Sequence, residues 1–412
     1  MAQKGRILEE PLKDHPEYRW RRTLSEFPSE EAYGCVVEAE EKATGRLVAI
    51  KMMDVQQVAL MKNYVVRDIS EHAKCAHPNV IRYLNCFTTE KHLGVVTQFA
   101  AGGDLMSVIA ERKGLSEGEA RRLFRQLQVA LDFCTRLGVS NHNVRLENTL
   151  LDRACTSADS AAAAHVENGV AAGEGTTGSS GRAQEACGVG TEAPAAQGTS
   201  RRPSSVGSSG GPRDVDMAVL KLCAFGPSIR AHHSQPWRQD GGSLCYNPPE
   251  ALMSRRFEAA ADEAATAWTC GVFLYAMLCD QYPFGDASNV RAVLDVRERM
   301  MKADYGRPTD RELSEEVVDL LNRIFVVDPE QRITLSGIQA HPWVTAGAAP
   351  LDLEASNGPR VAQCQAAWTP EAEEAIVAVV SKAAAAAMAA MGSGDLNETE
   401  LDDLLDEEEY DF

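Results

Sequence analysis

Long apolar runs are missing from this 412-residue sequence. The longest one, Ala267 to Cys279, is too short to span a bilayer and is typical of a buried helix. Paired cysteines are missing as well, because the 11 cysteines include no Cys-x-x-Cys motif and their number is odd. This pattern predicts neither a disulfide framework nor a zinc site, and it favours a reducing compartment, cytoplasmic and/or nuclear.

Basic residues are scarce, with 41 Lys and Arg against 60 Asp and Glu, which gives a formal net charge of -19. Such an excess of negative charge argues against nucleic-acid and membrane partners. Much of the acidity lies in Asp395 to Phe412, which contains no Lys or Arg. The first residues, Met1 to Lys13, alternate in charge without an apolar core, so we expect no secretory signal there.

Aromatic residues are absent from Cys155 to Arg213, which is rich in Ala, Gly, Ser and Thr. A segment of this composition cannot bury enough apolar surface to order itself. We interpret residues 155–213 as a disordered insertion, although an error in the gene model would leave the same pattern.

Strand patterns dominate the region before Gly102-Gly103, and helical patterns dominate after it. Ser116 to Glu119 is a capping box, and Thr369-Pro370-Glu371 is a second helix start. The predicted boundaries are an N-terminal extension (1–17), a small lobe (18–99), a large lobe (100–344) with its insertion (155–213), a linker (345–370), a helix (371–391) and an acidic tail (395–412).

Five short motifs occur in a recognisable order. They are Val48-Ala49-Ile50-Lys51, Asn143-Val144-Arg145-Leu146-Glu147-Asn148, Cys223-Ala224-Phe225-Gly226, Pro248-Pro249-Glu250 and Asp328-Pro329-Glu330-Gln331-Arg332. This set resembles the signature motifs of protein kinases.

Further stretches, including Leu146-Glu147-Asn148-Thr149-Leu150-Leu151-Asp152 and His233-Ser234-Gln235-Pro236, are similar to the plant sucrose-nonfermenting-related Ser/Thr kinases of the osmotic-stress and abscisic-acid subfamily. The resemblance implies an α+β, bilobal protein-kinase fold. Its small N-lobe is an antiparallel sheet and its C-lobe is mainly helical, with a C-terminal helix and an acidic tail after the kinase domain.

The resemblance also assigns roles in the small lobe. Lys51 matches the strand lysine that pairs the nucleotide phosphates, and Asp68 stands where the family has its partner Glu, one methylene longer. Of the three glycines expected in the phosphate-covering loop, only Gly34 is present. The predicted adenine slot comprises Val36, Ala49 and Leu150, with Thr97 as gatekeeper, although ordinary core packing explains these residues equally well.

The catalytic loop departs most from the family. Asn143 replaces the catalytic Asp, and an Asn cannot accept the proton of the acceptor hydroxyl. Arg145 matches the basic residue of the loop and Asn148 its metal ligand, whereas Ala224 stands at the position of the second, acidic ligand. Losing the general base typically costs about 10²- to 10⁴-fold in rate. Losing metal charge stabilisation costs on the order of 10³-fold, and the two penalties do not simply multiply.

Structural positions of the family are retained in part. Glu250 and Arg332 match a buried ion pair, whereas Thr266 replaces the Asp that braces the catalytic loop.

These substitutions predict a catalytically impaired pseudokinase that acts as a regulator or scaffold in stress signalling. ATP binding is expected to be weak, and the loss of a carboxylate at Ala224 argues against magnesium. We expect protein partners, such as a kinase, phosphatase or substrate of a stress pathway, to bind through the C-lobe or the acidic tail. The alternative is a weakly active Ser/Thr kinase that uses Lys51 and Asn148 with Glu147 or Asp152 recruited to metal.

Overall fold

The computed structural model describes residues 12–29, 32–139, 144–153, 215, 217–223, 245–253, 263–285, 290–306 and 311–391. The strands are β1 (Tyr18–Ser29), β2 (Ala32–Glu41), β3 (Leu47–Asp54), β4 (Tyr83–Thr88), β5 (His92–Gln98), β6 (Gly103–Asp104), β7 (Thr149–Arg153) and β8 (Ala218–Leu222). The helices are α1 (Val55–Leu60), α2 (Lys62–Lys74), α3 (Leu105–Arg112), α4 (Glu117–Arg136), α5 (Pro249–Met253), α6 (Glu263–Cys279), α7 (Val290–Met301), α8 (Glu315–Ile324), α9 (Leu335–Ala340), α10 (Pro342–Thr345), α11 (Leu353–Ala367) and α12 (Pro370–Met391). The predicted insertion (155–213) and acidic tail (395–412) lie outside the described residues.

The small lobe is a five-stranded antiparallel sheet in the order β1-β2-β3-β5-β4. Successive side chains of a strand point to opposite faces, and one face of this sheet is completely covered. Val37, Val48, Ile50 and Met52 on that face are each 0% exposed. The predicted sheet-based small lobe is therefore confirmed.

The large lobe is built on α4 and α6. Helix α4 begins with the predicted capping box between Ser116 and Glu119. The apolar face of α4 packs in the core with α6, whose residues 270–279 are all buried, as expected for a helix that is apolar all round. The members of that α4 face are Leu123, Leu127, Leu131 and Cys134, each 0% exposed. Within the described ranges, no helix is both long and apolar enough to cross a membrane.

Helix α12 packs against the small lobe. Its Ile376 and Val380 side chains join one buried cluster with Val58 of α1 and Ile69 of α2. The link to α11 consists of two residues, and one of them, Trp368, lies under the Lys74 ammonium of α2 at 4.9 Å from the ring centroid. The helix therefore supports the back of α2, the element that carries Asp68.

The interpretation of residues 345–370 as a linker needs correction, because they contain α11. Helix α11 packs against α4, where the buried Asn357 amide donates to the Val129 carbonyl at 2.9 Å and to the Asp132 carboxylate at 2.8 Å. Gly358 and Pro359 lie within this helix, and both residue types ordinarily signal a helix break. Packing against α4 outweighs that local signal, so the helix is not visible in the sequence pattern.

Truncation after Ala367 tests whether α12 stabilises α2. We expect hydrogen exchange in α2 (Lys62–Lys74) to accelerate, because the truncation removes the apolar surface that covers Val65 and Ile69. In the full-length chain, Ile376→Ala should cost about 2 to 4 kcal/mol of unfolding free energy. The matched control, Glu373→Ala, changes an exposed residue of the same helix and should cost less than about 1 kcal/mol. Unchanged α2 protection after truncation would show that the contact is not stabilising.

Candidate functional site

One face of the small-lobe sheet is open, and it carries most of the residues predicted to hold a nucleotide. Val36 on β2 pairs in register with Lys51 on β3, and Ala49 pairs with Thr97 on β5. All four side chains are partly exposed, whereas the strand neighbours of Val36, Ala49 and Lys51 on the other face are fully buried. The Thr97 hydroxyl donates to the Ala49 carbonyl at 3.3 Å, so the gatekeeper is fixed to β3. The sheet therefore presents a continuous surface from Thr97 to Lys51.

Gly34 and Leu150 lie at the predicted places around this face. Gly34 is in β2 opposite Met53, and the β1–β2 hairpin remains paired as far as Ser29 and Ala32. Leu150 is partly exposed in β7 of the large lobe, where it pairs with Lys221 of β8.

Lys51 and Asp68 face each other across β3 and α2, but they do not form a close ion pair. No such pair joins them among the described residues, although the Lys51 ammonium lowers the pKa of Asp68 through space. Burial acts in the opposite direction and more strongly, and the nearby Glu71 carboxylate adds to it. The resulting pKa of Asp68 is about 6. The shorter side chain of Asp therefore leaves the family's Lys–acid contact open.

Asn148 is the last residue of a single turn of 3-10 helix, Leu146–Asn148. Its backbone amide donates to the Arg145 carbonyl at 3.1 Å, which fixes its position. The Asn148 carbonyl accepts from the amide of Cys223 at 3.1 Å. Asn148 is therefore next to the end of β8, immediately before Ala224. Ala224 itself and Asn143 lie outside the described residues.

Cys223 is a residue of the site that sequence reasoning missed. Burial raises the pKa of its thiol to about 12, while the Lys51 ammonium lowers it and the Asp104 carboxylate raises it. The thiol is therefore neutral at physiological pH and a poor nucleophile. The Lys51 ammonium is close enough to lower the pKa of this thiol, so the end of β8 lies near Lys51 of β3. The signal in the sequence was its place directly before Ala224.

The two carboxylates considered as substitute metal ligands both have other hydrogen-bond partners. Glu147 accepts from the Tyr282 hydroxyl at 3.0 Å. Asp152 accepts from the Gln98 side-chain amide at 2.8 Å, and the Lys221 ammonium donates to the same Gln98 side chain at 3.2 Å. Within the described part of the chain, no cluster of His, Cys, Asp and Glu is arranged to hold a metal ion.

Arg145 and the end of the catalytic loop are held by the segment before α5. The Tyr246 hydroxyl accepts from the Leu146 amide at 3.1 Å, and the Arg145 guanidinium lies 6.0 Å from the Tyr246 ring centroid. Tyr246 also packs edge-on against Tyr282 at 5.6 Å. These contacts hold the end of the catalytic loop, and the sequence motifs did not indicate them. Thr266, at the position where the family has its bracing Asp, lies in α6.

Glu250 and Arg332 form a bidentate ion pair with N–O distances of 2.7 and 2.9 Å. The Arg332 side chain is 0% exposed, and it also donates to the carbonyls of Val326 and Ala264. Its guanidinium carbon lies 5.0 Å from the Trp268 ring centroid. The pair joins α5 to the start of α6 and to the segment after α8.

This arrangement of lobes and motifs agrees with the sequence comparisons. The family described as "Protein kinase domain" matches residues 30–174 and 213–344. The chain belongs to the protein kinase family.

Individual members of the family narrow the relationship. Serine/threonine-protein kinase SRK2F of Arabidopsis thaliana is 29% identical over 387 residues, covering 92% of this chain and 91% of that protein. Serine/threonine-protein kinase SAPK1 of Oryza sativa subsp. japonica is 30% identical over 312 residues, covering 76% and 72%. The resemblance to plant kinases of this group is therefore confirmed.

A solved structure shows the same fold. The crystal structure of Rad53 1-466 in complex with AMP-PNP aligns with a TM-score of 0.51 and 18% identity. The alignment covers 78% of this chain and 64% of that one. The predicted α+β, bilobal kinase fold is confirmed.

The pKa of Asp68 gives a pH-dependent prediction. Because the folded-state pKa is raised from 3.8 to about 6, the stability that Asp68 contributes at low pH is lost as the pH rises through that interval. Asp68→Asn removes this loss, so its free energy of unfolding relative to wild type should rise by up to about 3 kcal/mol between pH 4 and pH 7.5. Urea unfolding at both pH values measures the difference.

The matched control is Glu90→Gln, which neutralises an exposed carboxylate in the β4–β5 turn and should show no such trend. If the difference in unfolding free energy between Asp68→Asn and wild type were equal at both pH values, ionisation of Asp68 would not destabilise the fold, and the prediction would be wrong.

Proposed function

We propose that this protein kinase family member is a catalytically impaired regulator or scaffold of a stress-signalling pathway. The observation that carries the proposal is the engagement of Glu147 and Asp152, the two carboxylates nearest to Asn148 in sequence that were candidates to replace the missing acid. With Asn143 and Ala224 at the two acidic positions, Asn148 is left as the recognisable metal ligand. Phosphoryl transfer depends mainly on positioning and on metal and cationic charge.

The Lys51 site supports the same proposal. A Lys–acid pair normally holds the lysine against the phosphates, and here the acid is one methylene shorter and burial raises its pKa to about 6. The lysine itself is retained on the open face of the sheet. With Lys51 present and the acidic metal ligand missing, the site is better suited to binding a nucleotide weakly than to transferring its phosphoryl group.

For a nucleotide, Val36, Ala49, Thr97 and Leu150 are the residues that would line the base, and Lys51 would bind the phosphates. The apolar, partly exposed face from Thr97 to Lys51 fits a flat base at one end and an anion at the other. Magnesium fits less well, since an amide alone is a poor ligand for a hard cation that prefers carboxylates and phosphate oxygens. ATP is therefore proposed as a weak ligand and magnesium as dispensable.

The alternative function is weak protein Ser/Thr kinase activity. The retained ion pair between Glu250 and Arg332 favours it, because the helical lobe keeps the support of the activation segment. Under this alternative Glu147 or Asp152 has to supply a carboxylate oxygen to a metal ion in addition to its present hydrogen bond. The magnesium dependence of nucleotide binding distinguishes the two.

Regulation without catalysis requires partners. We propose protein partners, such as a kinase, phosphatase or substrate of a stress pathway, that bind to the C-lobe or to the acidic tail at 395–412. The overall charge of -19 disfavours nucleic acid and anionic membranes as partners. The nine free cysteines among the described residues suit a reducing compartment, which we propose is cytoplasmic and/or nuclear.

Thermal unfolding with ATP tests the proposed function. We expect ATP to raise the melting temperature only slightly. The shifts with magnesium and with EDTA should agree within about 1 °C, because Asn148 alone does not hold the metal. Lys51→Met should abolish the shift in both conditions. A large stabilisation that requires magnesium would contradict the proposal and favour the weak kinase.

A further inference from the structure

Helix α12 exposes a second face that is not covered by the rest of the described chain. We define its outer stripe as the exposed residues opposite the buried Ile376 and Val380, spaced by three or four along the helix. The outer stripe consists of Glu371, Glu374, Ala378, Lys382, Ala385 and Ala389.

The outer stripe is unusual for the surface of a helix. From residue 375 to 389, Lys382 is the single charged residue that α12 exposes. Beside the stripe lie Val377 and Met388, which are 37% and 40% exposed and are two of the five large exposed apolar residues found in the described chain. Surface helices normally carry polar residues on the face away from the core. The composition is that of a face that packs against another surface.

The size of these side chains favours another helix as the packing partner. Three of the six stripe positions are alanine, and small residues allow two helix axes to approach to about 8 Å. A flat row of methyl groups has no pocket for a large anchoring side chain. A helix whose contact face also carries small side chains therefore fits it best.

The charges of the stripe identify which helix fits. Glu374 and Lys382 each lie four residues from Ala378, on opposite sides of it, and Glu371 and Ala385 each lie seven residues from it. If two α12 helices pack antiparallel around a two-fold axis at Ala378, each Glu374 faces the Lys382 of the other copy. The arrangement forms two ion pairs and places no like charges opposite each other. Neither Glu374 nor Lys382 has an ion-pair partner within the described chain.

We propose that the outer stripe of α12 is a homodimer interface, with a second copy of this chain docked antiparallel and Ala378 on the two-fold axis. Such an interface is isologous, since each copy contributes the same surface. A single helix pair buries less area than a standard stable interface, so the dimer should form in the micromolar concentration range. The inference does not depend on catalytic competence or on nucleotide binding.

Sedimentation velocity of the full-length protein at concentrations from about 1 to about 100 μM, in low salt, tests the proposal. The average mass should rise toward twice the 44.7 kDa of one chain. Glu374→Lys and Lys382→Glu should each weaken association by about tenfold or more, because each places like charges opposite each other twice. The double variant, Glu374→Lys with Lys382→Glu, should restore association to within about threefold of wild type.

Glu373→Lys is the matched control, since it makes the same charge change on an exposed residue of the same helical turn that lies outside the stripe, about 100° around the helix from Glu374. It should leave association unchanged, and all variants should keep the wild-type melting temperature within a few degrees because the altered residues are exposed. Higher salt should weaken the wild-type dimer.

Five results would overturn the proposal. A monomer at every concentration would exclude a dimer, and an unrestored double variant or an equal effect of Glu373→Lys would exclude this register. Association that appears only after truncation following Met391 would show that the chain's own residues 392–412 occupy the stripe instead. Salt-independent association would exclude the Glu374–Lys382 pairs.

Discussion

The buried Arg332 guanidinium is the interaction on which the large lobe depends. Moving such a charge out of water costs several kcal/mol, which is recovered only if its donors are satisfied. Here the fork of the guanidinium holds both Glu250 oxygens, and further donors reach the carbonyls of Val326 and Ala264. Breaking one member of such a buried pair typically costs about 3 to 5 kcal/mol. This constraint preserves the kinase architecture independently of catalysis.

The small lobe has a different source of order. In the family the strand lysine and the helix acid link β3 to the first large helix, but the Lys51–Asp68 contact is open here. The position of α2 is supported from its other side by α12, through the cluster that includes Ile69 and Ile376. Burial of apolar side chains replaces an ion pair as the main support of α2. The geometry of the lobe is therefore compatible with the loss of the catalytic acids.

Much of the fold was predictable from the sequence, because its signals are local. The period-two burial of β3, the capping box of α4 and the apolar face of α12 each follow from residue spacing within one element. The family motifs also placed Glu250 and Arg332 before the structure showed their ion pair.

The sequence did not reveal the features that depend on tertiary packing. Helix α11 contains Gly358 and Pro359, and its stability comes from α4. The Tyr246 and Tyr282 contacts join residues far apart in the chain to the catalytic loop. The raised pKa of Asp68 depends on how deeply α2 packs against the sheet. No residue pattern within a single element encodes these distances.

Direct observation of metal recruitment tests the proposal that the kinase fold is retained without metal-dependent phosphate chemistry. Manganese, a paramagnetic substitute for magnesium, can be followed by electron paramagnetic resonance in the presence of ATP. We expect that adding the protein leaves the manganese–ATP spectrum unchanged, because Glu147 and Asp152 have other hydrogen-bond partners. A protein-dependent change in the manganese spectrum that disappears in Asn148→Ala would contradict it.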